Sequence, residues 1–377
     1  MANSQATYKR GDVLGDYRIV DVLGQGGFGA VYKAEHLTIK VPTPQGMVPW
    51  PVAIKELLNP AQAKRFSEEA GVLLQLSSTQ NNIVKVYGLF EIKGKHFLVM
   101  EYLDGGTVTT ASKKQQPEEV IIDILIEVCK GLTVCHTNNP QIIHRDVKPD
   151  NIKIWFTSTG VKVKVIDLGI AAILMPGYKN EVVGTFTFSS MAQLRGDYPN
   201  PFMDMHSLGA TAFHMMVDAQ LSEQEKYVPF PFTRWQSASQ RDAFMKSSGA
   251  SFLQLMRLMM PSPPSNWDAH AELVQRLAQT KYSTGLQAIV AKMMEYDDKD
   301  KFGSMLEVQE ALEDLKSGSK IQFTRPAASQ APAQSSVSTG GKDPFATQPP
   351  PPPPPGLRPG GAWLPRSTTP PPQDEES

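Results

Sequence analysis

The sequence predicts an α+β chain: a small, strand-rich lobe and a larger helical lobe sharing a cleft, then a tail with no fold of its own. Three observations carry this. Up to Glu101 the apolar residues come in short alternating runs bounded by glycines. From Pro117 onward they recur at helical spacing. Beyond Arg325 the chain turns Ser/Thr/Ala/Gln/Pro-rich.

In chain order, Tyr17 to Val20 and Ala30 to Ala34 read as strands around a glycine turn, and Pro51 to Glu56 as a third. Asn59 offers a helix N-cap with Pro60 at the first helical position, and Phe66, Ala70, Leu73 and Leu76 follow at helical spacing. Val84 to Phe90 and His96 to Glu101 read as two more strands. After Pro117, Val120, Ile121, Ile124, Leu125, Val128 and Leu132 share one helical face. Proline-rich Thr38 to Pro51 reads as a lengthened loop before Val52. Ser222 to Ser283 reads as a larger insertion, and its Trp235, Trp267 and Met-rich run Leu253 to Met260 belong either to a core or to an exposed docking surface. The tail contains the unbroken run Pro349 to Pro355 and ends acidic at Asp374-Glu375-Glu376; it cannot bury enough apolar surface to offset its ordering entropy and reads as disordered with polyproline II stretches.

Composition narrows the function. Of 377 residues, Lys+Arg number 37 and Asp+Glu 38, which leaves no basic footprint for nucleic acid or an anionic membrane. Two cysteines, Cys129 and Cys135, exclude a disulfide framework and a Cys-rich metal site; both fall in an apolar, helix-like run, as buried thiols do. Met1 to Arg10 is polar without the apolar stretch of a signal peptide, and no apolar run is long enough to span a bilayer. A cytoplasmic protein with no membrane span in this chain is the expectation.

Four motifs carry chemistry. Leu23-Gly24-Gln25-Gly26-Gly27-Phe28-Gly29 contains G-x-G-x-x-G, which by itself also fits a dinucleotide-binding turn. That reading needs a helix to follow, whereas Ala30-Val31-Tyr32 continues as strand. A hairpin lid over a triphosphate fits better, because glycines let backbone amides approach phosphates without a Cβ in the way. Val52-Ala53-Ile54-Lys55 alternates as a strand with its lysine opposite the branched neighbours, and Glu69, on the stripe of Phe66 and Leu73, is the acid chosen over Glu68 to pair with Lys55. The specific signal is His144-Arg145-Asp146-Val147-Lys148-Pro149-Asp150-Asn151. There a carboxylate accepts or orients an attacking hydroxyl's proton, a lysine steadies a transferring phosphoryl, and a carboxamide ligates Mg²⁺. Val163 to Gly169 then ends a strand in Asp167, the second hard oxygen ligand.

This order of motifs resembles the protein kinase superfamily, and most closely its bacterial Hanks-type serine/threonine branch, also on Gly15 to Val20, Asn82 to Gly88 and Asp204 to Thr211. The resemblance covers about Leu14 to Leu315 and implies a two-lobed protein kinase fold: an N-lobe over 14–103, mainly β with one key helix, a mainly α C-lobe over 104–316, and the Pro-rich tail over 317–377. It implies transfer of the γ-phosphoryl of ATP, with Mg²⁺ or Mn²⁺, to Ser/Thr hydroxyls of proteins, in signalling and with autophosphorylation. Catalytic roles fall to Asp146, Lys148, Lys55, Glu69 and Thr185, with Thr185 bonding Asp146 and Lys148. Asn151 and Asp167 would hold the metal. The glycine loop Leu23, Gly24, Gln25, Gly26, Gly27, Phe28 and Gly29 would cover the phosphates, Val31 and Ala53 would cap adenine, and the backbone of Glu101 and Leu103, after Met100, would hydrogen-bond it. Leu73, Val86, His144 and Leu168 would stack between the lobes, anchored on Asp204. The tail, with Thr347, Thr368 and Thr369, would recruit a phosphothreonine reader or a Pro-motif-binding partner. The alternative is a pseudokinase, a nucleotide-binding scaffold recruiting partners through the tail; its usual mark is loss of Lys, catalytic Asp or metal Asp, yet Lys55, Asp146, Asn151 and Asp167 are all present.

Three departures stand out. Ser190-Met191-Ala192 replaces Ala-Pro-Glu, and the arginine that normally pairs with its Glu reads Lys301; loss of both members of a buried pair points to a re-packed substrate loop. Lys153 stands where an apolar residue supports adenine, so either its stem packs while the ammonium reaches out or ATP binding weakens. Ala171 to Val183 holds no Ser or Thr, so activation should not need phosphorylation before Gly184, with Thr187 the remaining candidate.

Overall fold

The computed structural model describes residues 7–26, 29–57, 71–78, 80–112, 114–158, 160–167, 172–174, 184–185, 188–190, 192–193, 196–217, 269–295 and 297–319. The readings on Phe66, Trp235, Trp267, the Met-rich run and the tail lie outside these residues.

Alternating apolar residues in the first hundred positions build one antiparallel sheet. Its strands are β1 (Val13–Leu14), β2 (Tyr17–Gly26), β3 (Gly29–Thr43), β4 (Gly46–Leu57), β5 (Val86–Ile92) and β6 (Lys95–Glu101), in the order β1-β2-β3-β4-β6-β5. The period of two divides β4 between two cores. Val52 and Ile54 face outward with Tyr32, Ala34, Phe97 and Val99. Ala53 faces inward and joins Val86, Leu98, Met100 and the helical lobe in one continuous core.

The expected loop before Val52 is a β-ribbon instead. Lys40 pairs with Pro49, Val41 with Val48, Pro42 with Met47, and Thr43 with Gly46 at the tip. Proline, which cannot donate to a ladder, is tolerated because this ribbon has two strands only: β2 reaches β3 no further than His36, and β6 meets β4 only from Val52.

Of the helix expected from Asn59, residues 71–78 are described as helix (α1), where Leu73 and Leu76 are buried. The helical lobe follows: β7 (Gly106–Thr107), α2 (Val108–Ala111), α3 (Glu118–Thr137), β8 (Ile142–Ile143), a 3₁₀ turn Pro149–Asn151, β9 (Ile152–Thr157), β10 (Gly160–Val165), β11 (Ala172–Ile173), α4 (Pro201–Met216), α5 (Ala269–Ala278), α6 (Thr284–Met293) and α7 (Met305–Lys316). Of the stripe its sequence spacing called for, helix α3 buries Ile121, Ile124, Leu125, Val128 and Leu132, with Val120 half-buried, together with both cysteines. Within the large insertion, α5 buries Leu273 and Leu277, so this part of it is core. Asn200 caps α4 by accepting from Phe202 N–H at 3.0 Å, and Pro201 takes the first helical position. Lys301 is buried and pairs with Asp298 at 2.8 Å, so this cation finds its carboxylate within its own turn. No helix among the described residues is long and apolar enough to cross a membrane.

Candidate active site

The site gathers where the inner face of the sheet meets β8, β9 and β10. β2 and β3 continue through the glycine motif as a hairpin, with Gly24 opposite Val31, Gln25 opposite Ala30 and Gly26 opposite Gly29. No helix follows, which removes the dinucleotide-turn reading. Leu23 is exposed at this rim. Gly29, at φ 137°, needs the backbone freedom of glycine. Gly27 and Phe28 lie outside the described residues.

Lys55 is on the inward face of β4, buried, and its ammonium pairs with the Asp167 carboxylate. Asp167 follows β10 with φ 63°, a left-handed conformation that costs a non-glycine residue about 1–2 kcal/mol and is kept where the surroundings hold a side chain to a task. Glu69, the expected partner of Lys55, lies outside the described residues.

The second group hangs on the loop before the 3₁₀ turn. Asp146 Oδ1 accepts from the Thr185 hydroxyl at 2.6 Å, and Lys148 Nζ lies 2.8 Å from Asp146 Oδ2 and 2.6 Å from Thr185 Oγ1. Asn151 Nδ2 donates to both Asp146 O and Asp146 Oδ2 at 2.9 Å. With its nitrogen engaged, the Asn151 amide oxygen is the atom left to face a cation. Asn151 O accepts from Ile166 N–H at 2.8 Å, tying this loop to the residue before Asp167.

Asp204, fully buried on α4, holds the loop from below. Its carboxylate accepts from the backbone N–H of His144 and of Arg145, each at 2.8 Å, and lies 2.8 Å from His136 Nε2. Burial alone would raise its pKa; hydrogen bonds from His136 and Arg145, with the charge of His136, hold the carboxyl below its ordinary range instead. The His144 ring accepts from Asp146 N–H at Nδ1 (3.2 Å), so its proton sits on Nε2, 3.0 Å from Ile166 O. His144 thereby links the loops bearing Asp146 and Asp167.

At the junction of the lobes, Met100 pairs with Ala53 and Glu101 with Val52. The Glu101 carboxylate accepts from Lys85 N–H at 2.6 Å and pairs with buried Lys164. Val31 and Leu103 pack half-buried against the core, and Leu73, Val86 and His144 are buried between the lobes; Leu168 lies outside the described residues. Lys153 turns its ammonium to Gly105 O at 2.8 Å, which settles where that cation goes. Two partnerships were not read from the sequence. His136 gave a faint signal, a histidine in the last turn of an amphipathic helix; the Lys164–Glu101 pair gave none, because a lysine on an alternating strand reads as exposed.

The protein kinase domain family model matches residues 17–313. This chain belongs to the protein kinase family. Among its relatives, it is 34% identical over 213 residues to a probable serine/threonine-protein kinase of Clostridium perfringens (strain 13 / Type A), a match covering 55% of this chain and 29% of that one. It is 31% identical over 217 residues to serine/threonine-protein kinase A of Synechocystis sp. (strain ATCC 27184 / PCC 6803 / Kazusa), covering 53% of this chain and 40% of that one. The kinase chain thus spans less than half the length of both bacterial relatives it matches, the branch its motifs resemble. Kinases of this family use ATP and a divalent metal and act on proteins.

Proposed function

We propose that the chain is an ATP-dependent serine/threonine protein kinase, passing the γ-phosphoryl of ATP to hydroxyls of protein substrates and of itself. The observation that carries this is Asp146, whose carboxylate lies within 2.6–2.9 Å of a hydroxyl, an ammonium and an amide at once. In this reading Asp146 accepts or orients the proton of the attacking hydroxyl, and Lys148 steadies the transferred phosphoryl as its charge shifts. Lys55 holds phosphate oxygens, and Thr185 aligns Asp146 and Lys148 toward the acceptor. Asn151 and Asp167, two hard oxygen donors, fit Mg²⁺ or Mn²⁺, which takes one or two protein groups beside phosphate oxygens. When bound, such an ion offsets the charge on the phosphates. The glycine hairpin, Val31, Ala53 and the backbone after Met100 form the nucleotide cleft between an N-lobe over 14–103 and a C-lobe over 104–316. Thr347, Thr368 and Thr369 are the tail acceptors in the same reading, and the tail a recruiting segment for a phosphothreonine reader or a Pro-motif-binding partner.

Radiolabelled phosphate transfer by wild type, Lys55→Met and Asp146→Asn tests it. Loss of incorporation in both variants, with folding intact by circular dichroism, is the expected result. Equal incorporation in all three would end the enzyme reading and leave a binding scaffold.

A further inference from the structure

The family's closing Pro-Glu is missing here, yet the end of the activation segment is not left loose. Gln193 is buried, and its Nε2 donates to the carbonyl of Arg145 at 2.6 Å. That carbonyl opens the peptide leading into Asp146, and Arg145 itself is held at φ 64°, a left-handed backbone needing outside support. Gly184 makes the approach possible. A Cβ there would stand 2.2 Å from Gln193 Nε2 and 2.7 Å from Arg145 O, and φ 118° is glycine territory in any case. The residues between close the arrangement: Gln193 N–H donates to Ser190 Oγ at 3.2 Å, and Ser189 Oγ to Thr185 O at 3.0 Å. Thr185 in turn sits on Asp146.

We infer that Gln193 is a positioning residue, its carboxamide latching the end of the activation segment onto the catalytic loop and holding the Arg145–Asp146 peptide in place. The latch is made of neutral hydrogen bonds. It needs no phosphate on Ala171 to Val183, a stretch with no Ser or Thr to carry one. The inference deepens the kinase reading and rests on it.

The test uses the full chain carrying Gln193→Glu, which keeps the shape and removes the donor, and Gln193→Ala. Removing the partner of a buried acceptor is expected to lower kcat about tenfold in both variants. KM for ATP stays within about twofold, because no proposed nucleotide contact changes, and the thermal midpoint of Gln193→Glu falls by only a few degrees. A Gln193→Glu protein with wild-type kcat overturns the inference, and so does a loss of kcat that comes with a collapsed midpoint and a matching rise in KM. Amide hydrogen exchange of a peptide covering 142–148, measured on the same proteins, needs no turnover. It should quicken in Gln193→Glu, and unchanged exchange overturns the latch. Wild type without phosphate transfer but with quickened exchange in the variant keeps the latch and overturns the kinase reading instead.

Discussion

Replacing Asp204 by Asn should loosen the catalytic loop and destabilise the fold together. The carboxylate has three N–H partners at 2.8 Å: His144 N, Arg145 N and His136 Nε2. Hydrogen bonds to a charged acceptor contribute about 1.5–3 kcal/mol each. Asparagine keeps one oxygen and points an NH₂ at a donor across the other, so one or two bonds go, at a cost of about 3 kcal/mol. For a domain of this size that lowers Tm by roughly 6–12 °C. Differential scanning calorimetry reads the shift, and the pH dependence identifies its source. The folded carboxyl lies below its ordinary value of 3.8, so its contribution is complete above that pH and fades as pH falls below it. The gap between wild type and D204N should therefore be full at pH 7 and shrink below pH ~3.8. Equal midpoints at pH 7, or a gap unchanged at pH 3, would refute the reasoning.

Other outcomes follow from the same geometry. Thr185→Ala, which removes the hydroxyl between Asp146 and Lys148, should lower kcat about tenfold, at roughly 1.4 kcal/mol, while Thr185→Ser retains most of it in steady-state assays. Buried Tyr32 donates to Glu56 Oε2 at 2.8 Å, and desolvation with that hydrogen bond pushes its phenol to about 12. Phenolate absorbance should show a tyrosine ionising near that pH in the folded protein; the raised value stabilises the fold below pH 10 and loses its effect as pH rises through about 12, so alkaline unfolding should begin earlier in Glu56→Gln. Lys164→Met leaves half-buried Glu101 without its cation and should cost about 1–3 kcal/mol in urea unfolding, much of it recovered in Lys164→Met/Glu101→Gln.

The parts of the kinase most legible in the sequence are those where chemistry fixes spacing. Asp146, Lys148 and Asn151 are bound to one another by reach, so six letters in eight residues announced the cluster that the side chains form. Alternation announced five of the six strands of the large sheet, and only two-residue β1 escaped. The ribbon over Thr38 to Pro51 did not show, because its prolines speak for a loop unless the strands are known to lack outer neighbours. Gln193 and His136 were hidden for another reason. Their value lies in which carbonyl or carboxylate the chain brings opposite them, 48 and 68 positions away, and no local pattern encodes that.

Cys129 and Cys135 sit wholly enclosed on the central helix, Cys129 within 4.0 Å of the Met305 sulfur, and burial pushes both thiols up out of the range where a thiolate forms. No other cysteine exists in the chain to compete for a reagent. A small alkylating agent in excess therefore reaches them no faster than the helical lobe breathes open, and the pair acts as a built-in clock: its modification rate reports how often this lobe comes apart, with ligands and variants read against the same tick.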